Sequence, residues 1–299
     1  MHNRLSEKGL NHISQKIFNP VEENIENYLP INYPCFVKPA NGSGSIGSSK
    51  ISSNSEFINF FKNLPYKKIK DYLSVYSSNN ESLNYLICEY IDGEEYFVDT
   101  FSYKGNHFIS SIQKYTKRYV DNSPMYCFCE IVDNKYVLKI ISSYMNKVLS
   151  ALGLSNGFAH SELFITKKDK PVLVEVNQRL VGAHGIPSKM TSIEGKYTQL
   201  DLMISKLQNS NIDLKQTNIK TRAVTLFHYS DKPLNLPQKF DNFKSVCSIV
   251  QLKPNGYCHK NKPQSLDDLV AIILLISNDK NLIRIDTDEL LKKDLKGWI

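Results

Sequence analysis

Residues 160–179 read His160-Ser161-Glu162-Leu163-Phe164-Ile165-Thr166, then Lys167-Lys168-Asp169-Lys170, then Pro171-Val172-Leu173-Val174-Glu175-Val176-Asn177-Gln178-Arg179. Two strand-length runs rich in β-branched and aromatic residues flank a polar turn, the pattern of a β-hairpin built from strands 159–166 and 171–179. If Thr166 opposes Pro171, then Glu162 faces Glu175 and His160 faces Asn177. Leu163 and Ile165 then lie opposite Val174 and Val172 on an apolar face, and the other face carries His160, Glu162, Phe164, Leu173, Glu175, Asn177 and Arg179. Two carboxylates directly across a strand pair stand about 4.5–5.5 Å apart and repel each other unless a cation lies between them. Two acids and an amide offer oxygen ligands only, which suits Mg²⁺ or Mn²⁺ rather than zinc. The plainer alternative is a surface hairpin with one solvated polar face. The matched positions of the acids, with Asn177 and Arg179 at two-residue steps, favour a metal.

Working towards the N-terminus, residues 96–102 and 85–91 are β-rich and meet at the turn Asp92-Gly93, so that alone they read as an acidic hairpin, Cys88-Glu89-Tyr90-Ile91-Asp92-Gly93-Glu94-Glu95. Further upstream, the strand 35–38 enters the loop Asn41-Gly42-Ser43-Gly44-Ser45, and residues 48–51 return as its hairpin partner. Small residues let backbone N–H groups approach an anion, and Lys38 at the end of the entering strand can reach phosphate oxygens. This is neither a P-loop nor a dinucleotide fingerprint, because the lysine precedes the glycines and the next element reads as a strand.

The other elements are read from local signals. A short helix ends near Gly9 and an irregular stretch runs to Pro30. Residues 55–61 form a helix with Ser55 as its N-cap, and residues 136–152 a helix stopped by Gly153. Residues 114–130 show no clear period. Strands are expected at 223–229 and 246–252, followed by a helix opened by the capping box Ser265-Leu266-Asp267-Asp268. The apolar run 269–276 reads as a buried helix turn, and the polar stretch 208–221 as a linker.

Composition bounds the rest. The 299 residues carry 37 Lys and Arg against 30 Asp and Glu, a net charge of +7, with 41% hydrophobic residues. Such a chain can bury a core, which excludes a disordered, collagen-like or disulfide-scaffold protein. The longest apolar run falls far short of the roughly 20 residues of a membrane span. The N-terminus has no secretory apolar core, so a cytoplasmic chain with free thiols is expected, and the six cysteines include no C-x-x-C pair. Lysines spread without an aromatic-interleaved block give nucleic acid no support as a partner.

Taken in chain order, a lysine with a glycine-rich loop, an acidic strand end with Gly-x-Glu, His-x-Glu and Glu-x-Asn-x-Arg form a pattern that resembles the ATP-grasp ligases over residues 1–203. The local wording, Phe36-Val37-Lys38-Pro39, Glu175-Val176-Asn177-Gln178-Arg179 and Gly185-Ile186-Pro187, is similar to carboxylate–amine ligases related to L-amino acid ligases and carnosine synthase. The resemblance implies an α+β chain of the ATP-grasp fold, with two α+β subdomains clasping ATP and a C-terminal α+β lobe. Its divisions would be a helical lead-in at 1–34, a lid subdomain at 35–87, a core subdomain at 88–207 and the lobe at 217–299.

By the same resemblance, Lys38 would contact the α- and β-phosphates, and Gly42, Ser43, Gly44 and Ser45 would close over the triphosphate. The backbone of Glu89 and Ile91 would bind adenine, and Glu95 the ribose hydroxyls. Glu162, Glu175 and Asn177 would hold Mg²⁺ or Mn²⁺, and Arg179 would hold the transferring phosphoryl group. Lys38 and Arg179 would thus be catalytic. The implied reaction joins a carboxylate, an amino acid in the first instance, to an amine through an acyl phosphate. The sequence departs from the pattern at Cys88 and Gln178, and the family's early lysine and its domain fall ahead of the position Met1 occupies. The rival expectation is therefore an ATP-binding subunit or incomplete remnant whose missing part comes from a partner protein or another copy. A third is addition of amino acids to a protein tail.

Overall fold

The computed structural model describes residues 1–42, 44–74, 83–208, 222–229, 242–258 and 266–293. Two antiparallel sheets organise them. The smaller has the order β1-β4-β2-β3, from β1 (Gln15–Phe18), β4 (Tyr85–Glu89), β2 (Cys35–Pro39) and β3 (Ser49–Ile51). The pleat of β2 buries Cys35 and Val37 and leaves Lys38 and Phe36 on the opposite face. Helix α2 (Asn54–Lys62) covers the buried face, and its Phe57 and Phe61, one turn apart, pack with Phe18 and Tyr85. The N-cap of α2 is Ser53, whose side chain accepts from the Glu56 N–H, and not Ser55. Glu56 in turn accepts from the Ser52 N–H at 2.6 Å, so the cap sits two residues earlier than the serine spacing suggested. The stretch expected to be irregular contains β1, which pairs with β4 at the sheet edge.

The larger sheet has the order β11-β12-β10-β7-β6-β5-β8-β9. Its strands are β5 (Gly93–Tyr103), β6 (Asn106–Val120), β7 (Ser123–Ile131), β8 (Gly157–Thr166), β9 (Pro171–Asn177), β10 (Arg222–His228), β11 (Val246–Gln251) and β12 (Ala271–Ser277). Two helices cover one face. Helix α4 (Lys135–Leu152) starts on the Asn134 side chain, ends at the left-handed Gly153, and buries Ile141, Met145, Val148 and Leu149 as a single stripe against β5, β8 and β9. The C-terminal helix (Lys280–Lys293), α7 in chain order, packs Ile283 and Leu290 against β12.

Four expectations need correction. Residues 269–276 are not a helix turn: they supply β12, which pairs with β10 and β11 on either side. A strand buried on both faces loses the alternation that marks a half-buried one, so periodicity could not tell it from a helix. The expected capped helix at 265–268 is a single 3-10 turn at Leu266–Asp268, and Ser265 lies outside the described residues. Strands β4 and β5 do not form a hairpin through Asp92-Gly93, because they belong to different sheets. The Glu162↔Glu175 and His160↔Asn177 pairs stand as expected, but a bulge follows them, so that Leu163 faces Leu173 and Ile165 faces Pro171. The extra residue puts Leu173 in the core beneath α4 and Val172 and Val174 on the other side, beside Phe36 and Ile91. Most of the proposed linker at 208–221 lies outside the described residues.

Gly93 shows why the Gly-x-Glu motif opens with glycine. A Cβ at this position would lie 2.4 Å from the Ile165 carbonyl oxygen, backbone that cannot yield without breaking the β5–β8 ladder. Gly93→Ala is expected to cost about 2 kcal/mol of stability, the scale of an overpacking substitution. A urea transition whose midpoint falls while its slope holds would show this; an unchanged midpoint would mean that the strands part freely at that end.

Candidate active site

Between the two sheets lies a pocket of about 900 Å³. Every site residue expected from the sequence lines it, namely Lys38, Gly42, Gly44, Ser45, Glu89, Ile91, Glu95, Glu162, Glu175, Asn177 and Arg179, save Ser43, which lies outside the described residues. Strand β2 delivers Lys38 from the smaller sheet, and strands β8 and β9 deliver the two facing acids from the larger. They meet at Glu175: Lys38 Nζ donates to Glu175 Oε2 at 3.0 Å, and Asn177 Nδ2 donates to Glu175 Oε1 at 2.8 Å.

The facing acids divide the cost of their proximity unequally. Burial, then the negative charge of Glu175, push the Glu162 carboxyl up to about 7. Burial works against the charged form of Glu175 too, yet the Lys38 ammonium and the Asn177 amide hold its carboxyl below the usual range. The same pairing keeps the Lys38 ammonium above its ordinary value despite burial. Without a further cation, Glu162 therefore holds its proton more firmly than an ordinary carboxyl does. Among the described residues no three His, Cys, Asp or Glu side chains form a metal-ligating group. The available set is two carboxylates and an amide, all oxygen donors, and it fits a hard divalent cation.

Arg179 lies beyond the end of β9, at Asn177, rather than on the strand itself. Its backbone N–H turns back to the Asn177 carbonyl, and its guanidinium donates to the Leu180 carbonyl at 3.0 Å from an exposed position on the pocket lining. Glu89 is tied to the segment before β1, since its N–H donates to the Ser14 carbonyl at 3.0 Å and its Oε1 accepts from the Ser14 N–H at 2.8 Å.

Two arrangements in the site go beyond the sequence reading: Lys117, and the partners that hold His160. The spacing of His160 from Glu162 already offered a role in orienting that acid, a contact with substrate or a purely structural hydrogen bond. Lys117 on β6 contacts Glu95 Oε2 at 2.5 Å and sits 4.1 Å over the Tyr126 ring. The signal was the alternation of Tyr115, Lys117 and Tyr119, all pocket-lining, hidden among charged residues that blurred the strand pattern. The second arrangement is a buried polar chain behind Glu162. His160 Nε2 lies 3.8 Å from Glu162 Oε1, and its Nδ1 lies 2.8 Å from Asp99 Oδ1. Asp99 accepts from Ser111, and Gln113 donates to Ser111 and to the Pro187 carbonyl. This chain fixes the imidazole beside the acid and ties it to the start of helix α5 (Ile186–Ile193).

Comparison with known proteins agrees with this geometry. A family model described as "ATP-grasp domain" matches residues 31–188. Dapdiamide A synthase from Enterobacter agglomerans is 25% identical over 186 residues, 61% of this chain. The match spans only 42% of that protein's own length. The L-amino acid ligase from Bacillus licheniformis superposes with a TM-score of 0.72 at 19% identity, covering 97% of this chain and 70% of the ligase. A carboxyaminoimidazole ribonucleotide synthase from Aspergillus clavatus complexed with ATP gives 0.63 at 14% identity, covering 97% and 72%. At these identities the structural matches establish the shared α+β fold.

Proposed function

Because the chain belongs to the ATP-grasp domain family, we propose that it is an ATP-dependent ligase that joins a carboxylate, an amino acid in the first instance, to an amine. The observation that carries this reading is the convergence of Lys38 from one sheet with Glu162, Glu175 and Asn177 from the other in a single pocket. That is the charge distribution phosphoryl transfer between two anions requires. The Glu89 carbonyl and the Ile91 N–H take adenine, Glu95 takes the ribose hydroxyls, and the loop from Gly42 to Ser45 covers the triphosphate. Glu162, Glu175 and Asn177 hold Mg²⁺ or Mn²⁺, which when bound neutralises phosphate charge.

Lys38 then exchanges its contact with Glu175 for phosphate oxygens. The substrate carboxylate attacks the γ-phosphorus, an oxygen–phosphorus bond forms, and the bond to the β-phosphate oxygen breaks to release ADP. Arg179 holds the phosphoryl group during transfer and on the acyl phosphate. The amine nitrogen next attacks the acyl carbon, phosphate leaves with the bonding pair, and the nitrogen loses its proton to solvent. A need for ATP fits a cytoplasmic location. A screen of amino-acid pairs for phosphate release, with mass spectrometry of the amide, tests the reading. ATP–Mg²⁺ binding without amide from any pair would overturn it.

The raised Glu162 carboxyl gives a pH signature. Its folded value, about 7, lies above the ordinary 4.5, so it favours the folded state most at low pH, and that contribution is lost as pH rises from about 4.5 through 7. A cation must also displace this proton. Apparent Mg²⁺ affinity is therefore expected to rise with pH up to about 7 and then level off, by as much as about tenfold per pH unit on the rising side. The thermal shift produced by Mg²⁺–ATP should be larger at pH 8 than at pH 6. Equal shifts would show that Glu162 carries no proton for the metal to displace.

A further inference from the structure

The pocket extends past its polar end, and its character changes across the larger sheet. On β8 and β9 its face carries Glu162 and Glu175, and on β6 Lys117 faces Tyr126 of β7. Beyond β7 the same face turns apolar: Phe227 of β10 pairs with Ile272 of β12, and Leu252, Leu266 and Leu269 close round them. Phe227 is 4% exposed, Leu269 4% and Ile272 2%, yet all three line the pocket, so this end reaches into the core rather than opening on the surface. Water held there would find few polar partners. An apolar group entering it would add little strain and exclude that water.

We propose that this wall, formed by Tyr126, Phe227, Leu252, Leu266, Leu269 and Ile272, is a side-chain subsite that selects an aliphatic or aromatic amino acid as one of the two substrates. The proposal rests on the ligase reading above and gives it a substrate class. The reacting groups are charged and belong at the acidic end. An ammonium against Phe227 and Ile272 would be desolvated without a partner, so basic side chains are rejected there, and a carboxylate would bear the same desolvation cost unless it reached Lys253, which lines the pocket beside Leu252. The C-terminal strands thus bear on the choice of substrate, while the nucleotide residues lie on the strands that precede them.

The test has two arms, one varying the amino-acid carboxylate with the amine fixed, the other varying the amine with the carboxylate fixed. In one arm, leucine or phenylalanine should exceed aspartate or lysine in kcat/KM by about 10²-fold, the discrimination expected of an apolar pocket against a buried charge. Phe227→Ala should reduce that ratio about tenfold, or shift it towards larger side chains. Leu252→Ala, at a half-buried edge, replaces it should that variant not fold. The arm in which the preference appears identifies the substrate that fills the wall. Flat or charge-favouring preferences in both arms, or a ratio untouched in the folded variant, would overturn the proposal. Should no pair react, the ligase reading fails by itself, and the wall is judged by calorimetry on the chain saturated with Mg²⁺ and a non-hydrolysable ATP analogue. Leucine binding more tightly than aspartate supports the subsite; equal binding overturns it.

Discussion

Glu175→Gln is expected to abolish Mg²⁺-dependent ATP turnover, a loss of at least about 10³-fold, in a chain that still folds. The substitution preserves shape and removes one charge at the point where three groups converge: Glu162 across the strand pair, Lys38 from the other sheet, and the Asn177 amide. A bound divalent cation supplies several kcal/mol of transition-state charge stabilisation, and a neutral amide cannot hold it as a carboxylate does. A purely structural Glu175 would behave differently. Its loss would leave Lys38 without its acid and lower stability, but the response of turnover to Mg²⁺ would keep its midpoint. Circular dichroism establishes folding, and a Mg²⁺ titration of phosphate release separates the two cases. An unchanged midpoint would remove the metal assignment.

Arg179→Ala should lower turnover by about 10²-fold or more while ATP affinity stays within a few-fold. The guanidinium sits on the pocket lining beyond Asn177, where it donates to the Leu180 carbonyl, whereas Glu95 lies opposite Phe164, near the far end of β8, and Glu89 and Ile91 lie at and just beyond the end of β4. A planar fork can donate two hydrogen bonds to paired phosphoryl oxygens as they gain charge, and removing one such donor typically costs that factor in rate. Lysine should restore only part of it, for want of the bidentate geometry. Calorimetry and phosphate release on the same preparation decide the matter. If affinity and turnover fall together by one factor, Arg179 anchors phosphate in the ground state and its catalytic role is lost.

What was legible in the chain had local causes. The facing of Glu162 and Glu175 followed from a four-residue turn and strict alternation, both written in consecutive residues. The bulge just beyond them was not, because Val172, Leu173 and Val174 are all apolar and fit either face equally well. Lys117 escaped notice because a strand buried on its pocket side yet rich in Lys, Arg and Thr does not alternate in hydrophobicity. The glycine loop, the Gly-x-Glu start and the Glu-x-Asn-x-Arg end could be put in order by their types. That they share one pocket depends on two sheets meeting at Ile13, Cys88 and Val172, a contact between distant segments with no local signature. The wall at Phe227 and Ile272 depends on the same kind of long-range pairing, and the run that builds it lacks any period.

The larger sheet runs without interruption from β9 to β11, and its seam has a consequence for how the protein comes into being. Strand β7 finds β10, with Cys129 opposite Thr225, only after α4, β8, β9, α5 and the helix Gln199–Leu207 have been made. Until then the backbone N–H and C=O groups along that side of β7 are a bare template for any neighbouring chain. Pairings closed over so long a loop are slow to form. The nascent chain therefore passes through an interval in which most of the nucleotide-binding strands exist but their flank is exposed. Synthesis that stalls within this interval favours association between copies over completion of the sheet.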